Sequence, residues 1–149
     1  MTTTPGKWVA DQLVTAINAA PIVTPYVAGI SLPMSPNTAT VVKLPRFTLE
    51  ELAELKTCVA SRSRALAPAG RNPRKHDLAI QIMLLKKLDA EHSELDDLIE
   101  LMYAIDILVS KQSALGWTGS SNDPEYDTDS LETQCIFKSV ITATFSATL

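Results

Sequence analysis

The sequence has few of the groups that carry chemistry. It holds two histidines and two cysteines. His76 and His92 lie outside any recognisable nucleophile motif, so general-base catalysis has little to work with. There is no G-x-S-x-G, no phosphate-binding loop, no G-x-G-x-x-G and no H-E-x-x-H. The pair left for catalysis is His76 with Asp77, and the chain is read as non-enzymatic. Cys58 and Cys135 are too few for a disulfide framework and lack zinc spacing. Both fall in predicted strands as small buried thiols, and a reducing compartment is expected. Neither a metal site nor a cofactor is expected. Long apolar runs are missing too. None approaches the roughly 18–20 residues that cross a bilayer, so no membrane span is expected. The start, Met1 to Lys7, lacks the basic and apolar regions of a signal peptide.

What is present fits one folded domain over 1–149, with 46% apolar and 20% charged residues to build and solvate a core. The charges are unevenly spread. Lys43 to Lys87 holds ten Lys/Arg against four Asp/Glu, whereas Leu88 to Glu132 holds twelve acidic residues against Lys111 alone. Two readings fit this split: a subunit that meets copies of itself head to tail, or two solvated surfaces of opposite sign.

The clearest stretch runs from Asp77 to Ser113. Leu78, Ile80, Ile82 and Leu84 alternate with Ala79, Gln81, Met83 and Leu85, which predicts a strand with one wholly apolar face. The period then changes. Leu95, Leu98, Ile99, Met102, Ile105 and Val109 recur at helical steps, with Ser93 as a candidate cap and Glu94, Asp96 and Asp97 at the positive end.

Around this pair the chain supplies smaller elements. Lys7 to Ala19 predicts a short helix with Val9, Leu13, Ala16 and Ile17 on one face and Trp8 as a packing anchor. The segment 21–36 carries Pro21, Pro25, Pro33 and Pro36, which exclude a helix, so an extended apolar run against some other surface is expected. Ala39 to Leu44 and Lys56 to Arg62 read as strands. Between them Thr48, followed three residues later by Glu51, makes a capping box for one helical turn. The positions 62–76 read as a basic loop holding Arg62, Arg64, Arg71, Arg74, Lys75 and His76, broken by Pro68, Gly70 and Pro73. This loop has no aromatic side chain to stack on a base, which disfavours sequence reading of nucleic acid but leaves phosphate contact. Trp117 to Ser130 reads as a polar acidic loop, and Cys135 to Phe145 as a closing strand with Phe137, Ser139, Ile141, Ala143 and Phe145 on one face. Asp123, Glu125, Asp127 and Asp129 alternate like calcium ligands. Thr128 and Gln134 stand where an EF-hand needs glycine and glutamate, so the loop is read as a solvated tip.

Several of these pieces carry a resemblance: Trp8–Ala19, Asp77–Leu88, Leu95–Val109, Pro124-Glu125-Tyr126 and the run Lys138 to Phe145. In that order the chain resembles the tail-completion proteins of long-tailed phages, also called tail terminators or head–tail joining (neck) proteins. The resemblance implies an α+β domain: a small antiparallel or mixed sheet with an N-terminal helix and one long helix packed on it. It also implies a structural virion protein made in the host cytoplasm. Such a protein forms a ring, usually a hexamer, at the tail–neck junction, stops the tail tube and joins it to the neck. Its partners would be its own copies, the tail tube protein and a neck or stopper protein, with transient DNA contact in the lumen. On that view Arg62, Arg64, Arg71, Arg74 and Lys75 are candidates to face Glu94, Asp97, Glu100, Asp123, Glu125 and Asp127 across a subunit or ring interface. Arg71, Arg74 and Lys75 are alternatively candidates to line a DNA channel. Two other readings are a different neck component (stopper or adaptor) and a small nucleic-acid-binding protein using the basic loop.

Overall fold

Two sequence periods set the architecture. The period-two run becomes strand β3 (Arg74–Lys87) and the helical run becomes α2 (Leu95–Ser110). The structure, a computed structural model, describes residues 4–19, 40–41, 47–48, 50–53, 55–93 and 95–148. The remaining elements are α1 (Pro5–Ala19), β1 (Thr40–Val41), β2 (Lys56–Pro68), β4 (Trp117–Ser121), α3 (Thr128–Gln134) and β5 (Ile136–Thr148). The predicted 21–36 segment and most of the Ala39–Leu44 strand lie outside the described residues.

The strands form one mixed sheet in the order β1-β2-β3-β5-β4; β1 joins β2 in parallel, and the other pairings are antiparallel. Helix α1 lies over β2 and β3, and α2 over β5 and β4. The fold is therefore α+β, with an N-terminal and a long helix on the sheet. The core is where those helices meet one face. Leu78, Ile80, Ile82 and Leu84 from β3 and Phe137, Ile141, Ala143 and Phe145 from β5 meet Val9, Leu13 and Ile17 of α1 and Leu98, Leu101, Met102 and Ile105 of α2. Burying each large side chain contributes roughly 1.5–3 kcal/mol, so this layer dominates stability. The opposite face is covered at one end by Phe47, Leu52, Leu85 and Ile136.

Local chemistry fixes the helix starts. Thr4 precedes Pro5, whose missing N–H costs nothing at a first helical position; the Thr4 hydroxyl accepts the Lys7 N–H at 3.4 Å. The Thr48–Glu51 capping box forms: the Glu51 N–H donates to the Thr48 hydroxyl at 3.3 Å, and the Thr48 N–H to Glu51 Oε1 at 3.5 Å. Just before α2, the Ser93 hydroxyl donates to Asp89 Oδ2 at 2.6 Å. That bond holds the Asp89 carboxyl below its usual range.

Four further expectations are corrected. Positions 62–76 are not an irregular loop. Strands β2 and β3 pair without a break from Ser63↔Ala79 to Pro68↔Arg74, leaving residues 69–73 as the turn. Pro68 is the last residue of β2 and Pro73 lies in the turn, so neither proline interrupts the ladder. Trp8 is 49% exposed rather than an anchor, since the buried stripe Val9–Leu13–Ile17 leaves it on the flank. The acidic loop contains strand β4 and helix α3. Cys135 does not sit in a strand. It closes α3 with a left-handed φ of 54°, while Cys58 is a buried strand thiol as expected.

Candidate surface sites

A β-bulge decides how the basic residues are displayed. The register shifts between Ser61 and Ser63, leaving Arg62 as the extra residue. Arg62 donates its Nε–H to Gln81 Oε1 at 2.8 Å, on the face away from the helices. After the bulge the alternation is reversed, so Arg64 pairs with Leu78 on the helix side. Leu66 then pairs with His76, and Pro68 with Arg74, on that same side. Arg62 and Arg64 thus point to opposite faces despite their i, i+2 spacing.

From Arg64 to Lys75 the hairpin forms an arm. Arg64, Ala65, Leu66, Arg71, Asn72, Arg74 and Lys75 are all exposed, and Leu66 is 56% so. Strand β5 still flanks β3 here as far as Thr148 opposite Lys75, so only the tip of the arm, Arg74 with the turn 69–73 and the β2 residues beside them, extends past β5. Arg74 Nη1 donates to the Asn72 carbonyl at 2.5 Å, which stiffens the turn. Lys75 lies 3.9 Å from Asp77 on its own strand, a surface ion pair of little energetic weight.

The acidic residues do not form one patch. Glu94 lies outside the described residues. Asp97 is half-buried in the first turn of α2. Asp123 and Asp127 line one groove with Lys138 and Gln81, on the sheet face away from the helices. Asp127 accepts the Ser130 hydroxyl at 2.6 Å, and that bond holds its carboxyl below the usual range. Glu125 turns the other way, into a cavity of about 400 Å³ between α2 and the 122–125 loop. Glu100, Asp106, Tyr103, Asn122, Ile99 and Met102 complete that cavity. Among the described residues its lining holds three carboxylates and no cation.

Each wall of this groove has an identifiable support. Ser120 of β4 donates to Asp106 Oδ1 at 2.5 Å, fixing the helix flank. Asn122 Nδ2 donates to the Val140 carbonyl at 2.8 Å and to Ser139 Oγ at 3.0 Å. The Ser139 hydroxyl in turn donates to the Glu125 carbonyl at 2.5 Å. Glu100 Oε2 is shut off from solvent with no hydrogen-bond partner, and Tyr103 is 47% exposed at the rim. Sequence reasoning missed Tyr103 and Asn122. Glu100, Tyr103 and Asp106 stand three residues apart, the spacing that aligns one helix flank, and that was the available signal.

Among the described residues no group of three or more His, Cys, Asp or Glu is arranged to hold a metal ion. No helix among them is long and apolar enough to cross a membrane. No protein-family model matches the chain, and no curated protein matches its sequence.

Proposed function

We propose that this chain is a structural, ring-forming virion protein at the head-proximal end of a phage tail, where it ends the tail tube and joins it to the neck. The observation that carries the reading is the separation of unlike charges on one sheet. The cationic arm is built by β2 and β3, toward the β1 edge, and the acidic groove lies against the β4 edge. Two different patches on one subunit make a heterologous contact, which closes into a ring when the rotation between copies permits. No ion pair between described residues joins the arm to α2. The sequence resemblance to tail-completion proteins supports the same reading. The partners are further copies of the chain, the tail tube protein and a neck protein. The test is electron microscopy of particles made without this protein. Overlong or unjoined tails support a terminator; leaking heads with normal tails assign the chain instead to a stopper or adaptor.

One observation favours a second reading, a small nucleic-acid-binding protein. The β2–β3 end of the sheet displays Arg64, Arg71, Arg74 and Lys75 on exposed positions, a cluster of cations that phosphates attract without any reading of sequence. A monomer that binds duplex DNA tightly, with affinity falling steeply as salt rises, would replace the ring with this reading.

A further inference from the structure

We infer that the acidic groove of one copy is the seat for the hairpin arm of the next, with Glu100 and Glu125 receiving Arg64 and Arg74 while Leu66 packs beside Tyr103. This inference rests on the ring reading and names the joint that would build the ring.

Four properties of the two surfaces fit each other. The first is charge. Three carboxylates and no cation line the groove among the described residues, and the helix-side face of the arm carries Arg64 and Arg74. The second is polarity. Leu66 stands between those two arginines in the register, and it is exposed although it is a large aliphatic residue. The groove offers Ile99 and Met102 beneath the exposed Tyr103, so an apolar side chain flanked by cations meets an apolar floor flanked by anions. The third is an unmet need. Glu100 Oε2 is buried and accepts from no donor among the described residues, and such a carboxylate oxygen is costly until a donor reaches it. A guanidinium supplies paired N–H groups to a carboxylate in a fixed fork. The fourth is reach. Past Thr148, the last β5 residue paired with β3, the tip holding Arg74 and the turn 69–73 extends beyond the sheet, and Arg64 and Leu66 are exposed behind it, so this end of the sheet can meet a groove on a neighbour.

The occupant is a second copy rather than another part of the same chain. Arm and groove lie toward opposite edges of the sheet order, and their strands are kept apart by β5. Burying the Glu100 and Glu125 carboxylates against arginines gives register and partner choice, while the Leu66–Tyr103 contact supplies apolar area.

The experiment is a charge exchange in the full chain. Arg64→Glu with Arg74→Glu reverses the arm, and Glu100→Lys with Glu125→Lys reverses the groove. Circular dichroism confirms that each variant folds, and sedimentation at high protein concentration reads association. Each reversal alone is expected to weaken association about tenfold or more, and mixing the two reversed proteins should recover a joint between unlike copies. Wild-type association should also weaken as salt is raised. A second measurement pairs Leu66→Cys with Tyr103→Cys in a Cys135→Ser background. Mild oxidation should give disulfide-linked multimers between copies. If the wild type associates but neither reversal weakens it, or no cross-links form, this joint is wrong and the ring is built elsewhere. If the wild type stays monomeric at every concentration and no cross-links form, the ring reading fails with it.

Discussion

Ser120 donates its hydroxyl to Asp106 Oδ1 at 2.5 Å, tying the edge strand β4 to the outer flank of α2. The bond joins an edge of the sheet to a helix of the layer above, at a half-buried carboxylate. A hydrogen bond to a charged acceptor contributes about 1.5–3 kcal/mol net. Ser120→Ala is therefore expected to lower stability by about 1–2 kcal/mol, read as a fall in the urea midpoint at constant slope. Asp106→Asn keeps an acceptor oxygen for the same hydroxyl and should lose less. An equal loss in both would mean that packing, not the bond, holds the strand.

Two left-handed glycines predict unequal costs. Gly116 has φ 82°, and a Cβ there would overlap the Ser146 carbonyl of the facing strand. That closeness is held by the Ser146 N–H, which donates to the Gly116 carbonyl at 2.8 Å. Gly70 has φ 115°, but an added Cβ would meet Pro73 only at an ordinary 3.5 Å. Gly116→Ala is expected to cost about 2–4 kcal/mol, combining backbone strain with a collision. Gly70→Ala should cost about 1 kcal/mol from strain alone. Thermal melts of the two variants give the order, and the reverse order would contradict the packing of β5 on Gly116.

The sheet and helices were legible where the pattern was local. Alternation over Leu78–Leu85 and helical spacing over Leu95–Val109 each report which residues face the core: Leu78, Ile80, Ile82, Leu84, Leu98, Met102, Ile105 and Val109 are buried, and Leu95 and Ile99 are half-buried at the edge. The capping box at Thr48 was legible for the same reason. What escaped depends on partners far away in sequence. Strand β4 has Gly119 and two serines in its five residues and no alternation; it is a strand because β5 is beside it. The arm escaped because its prolines and glycine cluster around the turn, where they look like a long loop. The bulge at Arg62 leaves no mark in composition, yet it decides that Arg62 and Arg64 part company. The groove escaped because Asp106 and Glu125 are brought together by tertiary packing and by the long-range bonds of Ser120 and Ser139.

Burial sets a pH dependence at Cys58. The thiol sits in β2, 1% exposed, and burial pushes its pKa up to about 11 despite the opposing effect of Lys56. A thiol whose folded pKa lies above its unfolded value of 9.0 favours folding in its protonated form. That contribution is complete below pH 9 and is lost as pH rises through the folded value near 11. The expected loss is on the order of 2 kcal/mol. Comparing wild type with Cys58→Ala between pH 8 and pH 11 isolates it. The wild type should lose stability more steeply, and parallel curves would rule out the thiol as the cause. The folded protein should also react with a thiol reagent at Cys135 well before Cys58.

Ser139 links the core to the groove, and its variants separate these two roles. It is 1% exposed among Phe137, Ile141 and the helices, an expensive place for a hydroxyl unless the group is fully used. It is used twice, accepting from Asn122 Nδ2 and donating to the Glu125 carbonyl. Ser139→Ala removes both bonds and is expected to cost about 1–2 kcal/mol. Asn122 keeps its bond to the Val140 carbonyl, so the loop should loosen rather than detach. Hydrogen exchange should therefore quicken across 122–127 more than the global loss accounts for, with β3 and β5 little changed. Tyr126, whose ring centroid lies 6.2 Å from that of Phe137, reports on the same segment. If exchange rises evenly over the whole chain, Ser139 is only a core residue, and the groove wall owes its position to something other than this hydroxyl.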